Sequence, residues 1–268
     1  MKHLKEIKDW EELRNQVVCG DCLEGMKLIP DKSIDLILTS PPYDNLRDYK
    51  GYSFDFEATA KEIKRILKDG GVCVWVVGDQ TIKGSETGTS FKQALRFKEI
   101  GMNLHDTMIY QKNSYPFPPS NRYFGVFEYM FVFSNGVPST TNLIKVPNIK
   151  QVKNNNSSTS RQADGTVKKF KYKTGKATRI KENVWIYETG YNKSSTYNPS
   201  HPATFPEKLA LNHIESWSNR GYIVLDPFMG SWTTARACKD LGRDFIGFEL
   251  SEDYCEIGEK RLAQQVMF

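Results

Sequence analysis

The stretch LTSPPYDNL, residues 38–46, places a serine, two prolines and a tyrosine directly after strand-forming residues. Prolines fix the backbone φ angle and remove N–H donors, so the carbonyl groups here have no ladder partner of their own. Ser40 Oγ and the Pro41 carbonyl are then two acceptors for the N–H bonds of an exocyclic amino group. Such a pair would pull the nitrogen toward tetrahedral geometry and aim its lone pair at an electrophile. Tyr43 would offer an aromatic face to a base removed from a duplex.

Taken alone, this stretch has an ordinary structural interpretation as a proline-stiffened turn with a packed tyrosine. Three other loops after strand patterns change the balance: Gly20-Asp21, the DPFMG sequence at 226–230, and Glu249. Ligands of open parallel sheets bind at the carboxyl ends of the strands. Four such ends with acidic or unusual loops therefore favour one shared site.

The loop chemistry indicates what this site holds. Glu249 stands where doubly wound folds bind ribose hydroxyls, and the preceding loop has neither a G-x-G-x-x-G pattern nor a P-loop lysine. A nucleoside without phosphates is therefore expected, with Asp226 facing a positive group and Asp21 accepting from an adenine amino group. S-adenosylmethionine has these parts: adenine, a ribose diol, an ammonium group and a sulfonium cation.

The elements that must position these loops indicate an α/β fold. Apolar runs predict buried strands at 16–19, 34–38 and 72–77, and periodic apolar residues predict a helix over 56–67. Strands solidly apolar on both faces are typical of a parallel sheet covered by helices. A helix is predicted over 91–100, and a pair of strands near 107–111 and 127–133 would add an antiparallel edge. A further helix is predicted over 206–219. Strands over 222–225 and 245–248 follow, with a helix between them, and a final helix begins at Ser251.

Bulk properties limit the classes of protein. The chain of 268 residues has no run of eighteen apolar residues and no signal-like start, so a cytoplasmic protein is expected. Five scattered cysteines do not form a secreted disulfide framework. Cys19 and Cys22 have C-x-x-C spacing, but no second ligand pair follows at a usable distance, so no metal site is predicted.

Residues 141–183 carry the cationic character. Eleven Lys or Arg against two acidic residues give this segment a charge of +9, which leaves −4 for the rest of a chain whose total is +5. A solvated linker is one interpretation, but the length and one-sided charge favour contact with a polyanion. Phosphate contacts are expected from Lys168, Lys169, Lys171, Lys173 and Arg179.

The ordered set of motifs resembles the exocyclic-amino DNA methyltransferases, in the permuted arrangement called the beta class. TSPPY at 39–43 is similar to the catalytic motif of that family, and it precedes DPFMGSWTT at 226–234, which is similar to the cofactor motif. HPATFPEKL at 201–209 and VVCGDCLEGM at 17–26 are similar to two further cofactor-side segments. The resemblance covers the chain except for the basic insert, which lies where the family keeps its target-recognition region.

The resemblance implies a Rossmann-like methyltransferase fold with a mostly parallel sheet, S-adenosylmethionine as cofactor and double-stranded DNA as partner. It divides the chain into a first catalytic part (1–140), a target-recognition insert (141–183) and a second catalytic part (184–268). It assigns the target base to Ser40, Pro41, Pro42 and Tyr43. It assigns the cofactor to Asp21, Cys22, His201, Asp226, Pro227, Phe228, Gly230, Thr233, Thr234 and Glu249. A homodimer and a companion restriction endonuclease stay open, and the reaction proton is expected to leave to solvent.

Two features qualify the resemblance. Trp232 replaces the second glycine of the usual DPFMGSGTT, where the backbone needs close approach or positive φ. We expect its indole to point away from the cofactor; a lid over the pocket and weakened binding are the alternatives. Serine at position 40 slightly favours N4 of cytosine over N6 of adenine. More distant alternatives are a methyltransferase for RNA or a protein amide, and a DNA-binding module that has lost its cofactor.

Overall fold

The computed structural model describes residues 2–42, 55–113, 121–148, 157–171, 177–188 and 206–263. The chain forms two units, one made of Met1–Asn142 with Asn183–Phe268 and the other of Leu143–Glu182. None of the helices in the described ranges is long and apolar enough to cross a membrane.

Within these ranges the secondary structure comprises short and long strands, six α-helices and two single-turn 3-10 helices at Leu4–Glu6 and Trp10–Leu13. The strands are β1 (Lys2–His3), β2 (Gln16–Cys19), β3 (Ile34–Thr39), β4 (Leu67–Val77), β5 (Thr81–Ile82), β6 (Ser85–Glu86), β7 (Asn103–Lys112), β8 (Phe127–Ser134), β9 (Lys145–Pro147), β10 (Ser157–Arg161), β11 (Val167–Lys171), β12 (Thr178–Ile180), β13 (Val184–Tyr187), β14 (Ile223–Asp226) and β15 (Asp244–Glu249). The α-helices are α1 (Cys22–Leu28), α2 (Phe56–Ile66), α3 (Thr89–Glu99), α4 (Glu207–Trp217), α5 (Thr233–Leu241) and α6 (Glu252–Ala263).

Nine of the described strands form one sheet in the order β1-β2-β15-β14-β3-β4-β8-β7-β13. Every neighbouring pair in this order is parallel except the two that β8 makes with β4 and β7. The mostly parallel sheet is confirmed, but its antiparallel strand is not at the edge that the sequence predicts. The antiparallel strand, β8, is third from one end of the sheet. β7 pairs with its outer side, and β13 pairs in parallel with β7 at the edge.

The β4 strand begins five residues earlier than its apolar run suggests. Leu67 already pairs with Ile34 of β3, and the register shifts between Ile34 and Leu36. This tertiary pairing ends α2 at Ile66, one residue before the predicted end. Strand pairing therefore overrides the local helix signal.

The apolar face of α2 explains its position over the sheet. Its buried residues include Ala60, Ile63 and Ile66, which recur at helical spacing. Below them the ring of Trp75 lies 5.2 Å from that of Phe97 in α3, in an edge-to-face contact. Phe56 of α2 also contacts Trp75, at 6.0 Å between ring centroids, so aromatic packing joins both helices to β4.

The chain reverses its direction of winding between β14 and β3, which are neighbours in the sheet. From β14 the chain crosses through α5 to β15 on one side, whereas from β3 it crosses through α2 to β4 on the other. Opposed crossovers leave a crevice outside the carboxyl ends of the two strands, where open α/β sheets bind their ligands.

The smaller unit consists, in its described residues, of two antiparallel pairs, β9 with β12 and β10 with β11. The Lys181 N–H donates to the Ile144 carbonyl at 2.9 Å, so the entering and leaving segments are tied together. None of the side chains described in this unit is buried. It therefore presents its charge to solvent without a core of its own in the described residues.

Candidate active site at the carboxyl edge of the sheet

The four loops that the sequence marks for chemistry follow four adjacent strands: β2, β15, β14 and β3. Cys19 pairs with Glu249, and the Gly20 N–H donates to the Glu249 carbonyl at 2.9 Å. On the other side of β15, the Met229 N–H donates to the Phe248 carbonyl, also at 2.9 Å. Because these strands are parallel, their carboxyl ends and the loops that follow share one edge of the sheet.

Asp226 forms the buried centre of this edge. Its carboxylate, 1 % exposed, accepts hydrogen bonds at 2.6 Å from the hydroxyls of Thr39 and Thr234 and at 3.1 Å from the Phe228 N–H. Burial raises its pKa to about 6, although these donors oppose the shift. Asp226 thus ties the end of β3 to the start of α5, while its expected contact with a positive group of the cofactor stays a prediction.

Glu249 ends β15 with a largely buried carboxylate. Its Oε2 accepts from the Gly230 N–H at 2.7 Å and its Oε1 from the Ser251 N–H at 2.8 Å. Burial raises its pKa, and these backbone donors pull in the other direction. A carboxylate offers about four acceptor positions, so capacity remains for a ligand hydroxyl.

Asp21 begins α1, a helix that follows the Gly20 turn. Its Oδ1 accepts from the N–H groups of Leu23 and Glu24 at 2.9 and 3.1 Å, which is N-capping. The side chain is exposed at the sheet edge. Cys22, the next residue, is buried, and burial raises its pKa to about 12, so it presents a neutral thiol.

The proline segment follows Thr39 without a break. Ser40 is half-buried, Pro41 is buried and Pro42 is half-buried. Because Thr39 bonds to Asp226, the start of this segment lies beside the DPFMG loop. Tyr43, expected to stack on a base, lies outside the described residues, as does His201.

The remaining cofactor-motif residues line the loop between β14 and α5. Pro227 is buried, and Phe228 is partly buried with its ring 6.5 Å from that of Trp75. Gly230 has a positive φ of 52°, which a residue without Cβ adopts readily. Thr233 is buried and begins α5.

Arg261 of α6 braces this loop from behind, and sequence reasoning missed it. Its Nη1 donates to the Ser231 carbonyl at 3.0 Å, to the Ser231 hydroxyl at 3.1 Å and to the Thr233 hydroxyl at 3.0 Å. Burial lowers its pKa, an effect that Glu207 opposes. An arginine in the last turn of an amphipathic helix carries no sequence signal for this role, because the contact depends on how α6 packs.

Trp232 adopts the left-handed conformation, with φ 63° and ψ 30°. Its indole is 4 % exposed and packs on α6: a Cβ on Gly258 would lie 2.2 Å from the ring. It also borders a cavity of about 270 Å³ that Gln16 and Val17, at the amino end of β2, line. The indole therefore extends between α6 and the sheet, and its expected orientation away from the strand-end crevice fits these contacts.

Comparison with known proteins identifies the family of the chain. The family model N6_N4_Mtase, described as DNA methylase, matches residues 34–260. The orphan methyltransferase M.BamHII of Bacillus amyloliquefaciens is 52 % identical in an alignment 244 residues long that covers 89 % of this chain and 92 % of that protein. The chain belongs to the N6/N4 DNA methylase family. The type II methyltransferase M.HinfI of Haemophilus influenzae is 31 % identical over 278 residues, covering 93 % of this chain and 68 % of that one.

Solved structures of other proteins share the fold of this DNA methylase. PvuII DNA methyltransferase, described as cytosine-N4-specific, superposes with a TM-score of 0.69 at 22 % identity, covering 94 % of this chain and 88 % of that one. A putative DNA modification methylase from Thermus thermophilus, complexed with S-adenosyl-L-methionine, gives 0.61 at 24 % identity, covering 91 % and 93 %. The methyltransferase fold is thus confirmed.

The family membership confirms the main prediction from the motifs. The chain is a DNA methyltransferase that acts on an exocyclic amino group and uses S-adenosylmethionine. It decides against methylation of RNA or a protein amide and against a module without cofactor. The donor set of the edge fits the cofactor, since Glu249 retains acceptor capacity for a ribose diol and Asp21 exposes a carboxylate.

Proposed function

We propose that this DNA methylase transfers its methyl group to N4 of cytosine, in a base removed from the duplex. The observation that carries the proposal is the position of Ser40, which is half-buried and directly follows Thr39. The Thr39 hydroxyl donates to Asp226, in the DPFMG loop, at 2.6 Å. The acceptor beside the reacting nitrogen is then a neutral hydroxyl instead of a carboxylate. The fold shared with a cytosine-N4-specific enzyme supports the same choice of base. N6 of adenine is the alternative.

The roles of the residues follow from their places on the edge. Ser40 Oγ and the Pro41 carbonyl accept the two N–H bonds of the target amino group, which directs its lone pair toward the methyl donor. Pro42 keeps the segment extended, and Tyr43 stacks on the base. The amino nitrogen loses its proton to solvent after transfer.

Cofactor contacts are proposed for the loops around this segment. Glu249 binds the ribose hydroxyls, and Asp21 with Cys22 lines the adenine side. When bound, S-adenosylmethionine supplies an electrophilic methyl group on its sulfonium. The remaining proposed contacts come from His201, Asp226, Pro227, Phe228, Gly230, Thr233 and Thr234.

Nucleoside mass spectrometry after incubation with S-adenosylmethionine and mixed-sequence duplex DNA tests the target base. We expect N4-methylcytosine from the parent enzyme. Ser40→Ala should lower kcat about 100-fold, the usual loss when one polarising hydrogen bond is removed from a reacting group. Ser33→Ala is the matched control, because its hydroxyl donates to the Pro30 carbonyl before β3 begins. N6-methyladenine as the sole product would contradict the base, and parental kcat in Ser40→Ala would contradict the role.

The smaller unit is proposed to be the target-recognition region, with the chain on either side of it forming the catalytic part. Lys168 and Lys169 are exposed neighbours in β11, so they point to opposite faces of the hairpin. By register, Lys169 shares a face with Arg161. Arg179 forms an ion pair with Glu182 at 2.6 Å, which compensates part of its charge. Lys171 ends β11, and Lys173 lies outside the described residues.

Salt-dependent DNA binding tests this assignment. Replacing both Lys168 and Lys169 by Gln should reduce the slope of log affinity against log salt by about 2, because each phosphate contact releases about one counterion. The double variant Lys92→Gln with Lys98→Gln, on the exposed surface of α3, should leave the slope unchanged. An equal slope in parent and hairpin variant would remove this unit from the interface.

Two partner predictions belong to the same proposal. The 52 % identical relative is described as an orphan methyltransferase, which favours action without a companion restriction endonuclease. Homodimerisation is the second, and analytical ultracentrifugation at assay concentrations measures it directly.

A further inference from the structure

His3, Cys19 and Glu252 bring three potential metal-ligand atoms within 4.8 Å of one another. Two of them meet through sheet register: β1 pairs with β2 so that His3 lies opposite Cys19, and lateral neighbours in a sheet project to the same face. Glu252 comes from the first turn of α6, which packs against β2. Three separate elements therefore supply an imidazole, a thiol and a carboxylate to one point.

Cys255 stands beside this cluster. It follows Glu252 by three residues on α6, so the two side chains lie on the same side of the helix. Its thiol is hydrogen-bonded with that of Cys19, and both cysteines are buried and form no disulfide. The Cys255 thiol also donates to the Glu249 carbonyl at 3.6 Å, and it would turn from that carbonyl to become a fourth ligand.

The electrostatics of the cluster suit a cation. The carboxylates of Glu252 and Glu249 both lie close enough to the Cys19 thiol to interact with it electrostatically. A divalent ion is attracted by a carboxylate and by a thiolate alike.

The donor types identify the metal. Nitrogen, sulfur and oxygen ligands in a tetrahedral arrangement are those of Zn²⁺, whereas Ca²⁺ and Mg²⁺ need sets made of oxygen. Bonds of about 2.0–2.3 Å to zinc place neighbouring ligand atoms about 3.3–3.8 Å apart, so small side-chain rotations close the site. His3 is half-exposed and Glu252 exposed, which leaves a path from solvent.

We propose that His3, Cys19 and Glu252 bind one Zn²⁺ ion, with the Cys255 thiol as the fourth ligand. On binding, each coordinating thiol releases its proton to solvent. The ion links the two-residue strand β1 and the start of α6 to the end of β2. This point lies directly before the Gly20 turn at the carboxyl edge of the sheet. Its role is structural and is independent of which base the enzyme methylates.

Isothermal titration of ZnCl₂ into the full chain tests the site. The protein is prepared without a histidine tag, fully reduced and freed of metal by chelation. We expect one equivalent to bind, with affinity reduced at least about 100-fold in Cys19→Ser and in Glu252→Gln, since even outer-shell substitutions cost about 10- to 100-fold. Matched controls that should bind like the parent are Cys22→Ser, Glu256→Gln and His105→Ala.

Two further measurements separate coordination from misfolding. Co²⁺ in place of Zn²⁺ should give a thiolate-to-metal charge-transfer band that Cys19→Ser abolishes and His105→Ala retains. Zn²⁺ should raise the Tm of the parent but not of Glu252→Gln. Because Glu252 is exposed, this substitution should leave the circular dichroism spectrum unchanged. Absence of binding to the reduced parent would overturn the proposal. Parental affinity in both Cys19→Ser and Glu252→Gln would place the ion elsewhere and overturn it as well.

Discussion

Asp226 in the larger unit and Asp164 in the smaller unit form similar hydrogen bonds. Each accepts from the backbone N–H two residues later, at 3.1 Å from Phe228 and 2.9 Å from Thr166. Each also accepts from a threonine hydroxyl, at 2.6 Å from Thr234 and 2.7 Å from Thr166. Yet burial raises the pKa of Asp226 to about 6, whereas the bonds from Thr166 lower the pKa of exposed Asp164. Access to water, more than bond type, decides the direction.

The same contrast holds for the two units. The strand-end edge is built on buried polar groups whose partners come from several elements, so its geometry is held from many sides. The smaller unit is a pair of hairpin-like sheets in which none of the described side chains is buried. The strand-end edge is thus fixed by buried contacts, whereas the described side chains of the smaller unit face solvent.

The largest expected effect is the difference in stability between deleting the Asp226 carboxylate and deleting the Asp164 carboxylate. Asp226→Ala leaves two threonine hydroxyls and one backbone N–H without their acceptor, so we expect the free energy of unfolding to fall by about 3–5 kcal/mol. Asp164→Ala leaves its former donors free to bind water, so it should cost much less than Asp226→Ala. Urea denaturation measures both. Equal losses would break the comparison between the two regions.

The pH dependence of stability sharpens the comparison between Asp226 and Asp164. Between about pH 4 and 6 the unfolded chain loses the Asp226 proton before the folded state does, because the pKa rises from 3.8 to about 6 on folding. This group therefore stabilises the fold below pH 4 and loses about 3 kcal/mol of that contribution as the pH rises to 6.

Asp226→Asn should remove this loss, measured as the parent-minus-variant difference in unfolding free energy across that range. The matched control is Asp164→Asn, for which the sign is opposite. Because folding lowers its pKa, its contribution is present above pH 4 and disappears as the pH falls. Curves of the same sign for both residues would contradict the assignment.

The two units also differ, by a smaller expected energy, in which residue carries a positive φ angle. The hairpin loop of the smaller unit places its positive φ, 82°, on Gly165, whereas the cofactor loop places one of 63° on Trp232. Trp232→Gly should relieve about 1–2 kcal/mol of strain but lose the packing of a buried indole, about 3–5 kcal/mol, for a net loss of about 2 kcal/mol in unfolding free energy.

A double-mutant cycle with Gly258→Ala checks that this packing is the cause. The added Cβ would lie 2.2 Å from the indole, so the substitution should destabilise the parent and be tolerated once Trp232 is glycine. Additive effects of the two substitutions would show that the contact carries no energy.

Local pattern was enough to predict the strands that form the edge. β2 has the predicted bounds, and β3 differs by one residue, because continuous apolar runs and their terminating loops are local features. β13 was missed because its alternation of exposed and buried residues takes on meaning only beside β7. The predicted end of α2 is also within one residue of the observed end, because Leu67 pairs with Ile34 of β3.

The site divides along similar lines. Parallel strands made it predictable that Asp21, Asp226 and Glu249 would share one edge. The network inside that edge was not predictable, since the Thr39 hydroxyl and Asp226 are 187 residues apart. Nor could spacing show that Cys19 meets His3 and Glu252, because their approach depends on the register of β1 and the packing of α6.

The bond from Lys181 N–H to the Ile144 carbonyl has a consequence for how such enzymes diversify. The two ends of the basic segment, at Ile144 and Lys181, lie next to each other, joined by this backbone hydrogen bond. A short turn or a different inserted segment could therefore also connect them; we call this pair of residues the neck. Under the target-recognition role proposed for the basic segment, exchanging it at the neck should change the sequence preference while the nine-stranded sheet keeps its register. A chimaera joined at Ile144 and Lys181 is the natural starting point for engineering an enzyme with a new target sequence.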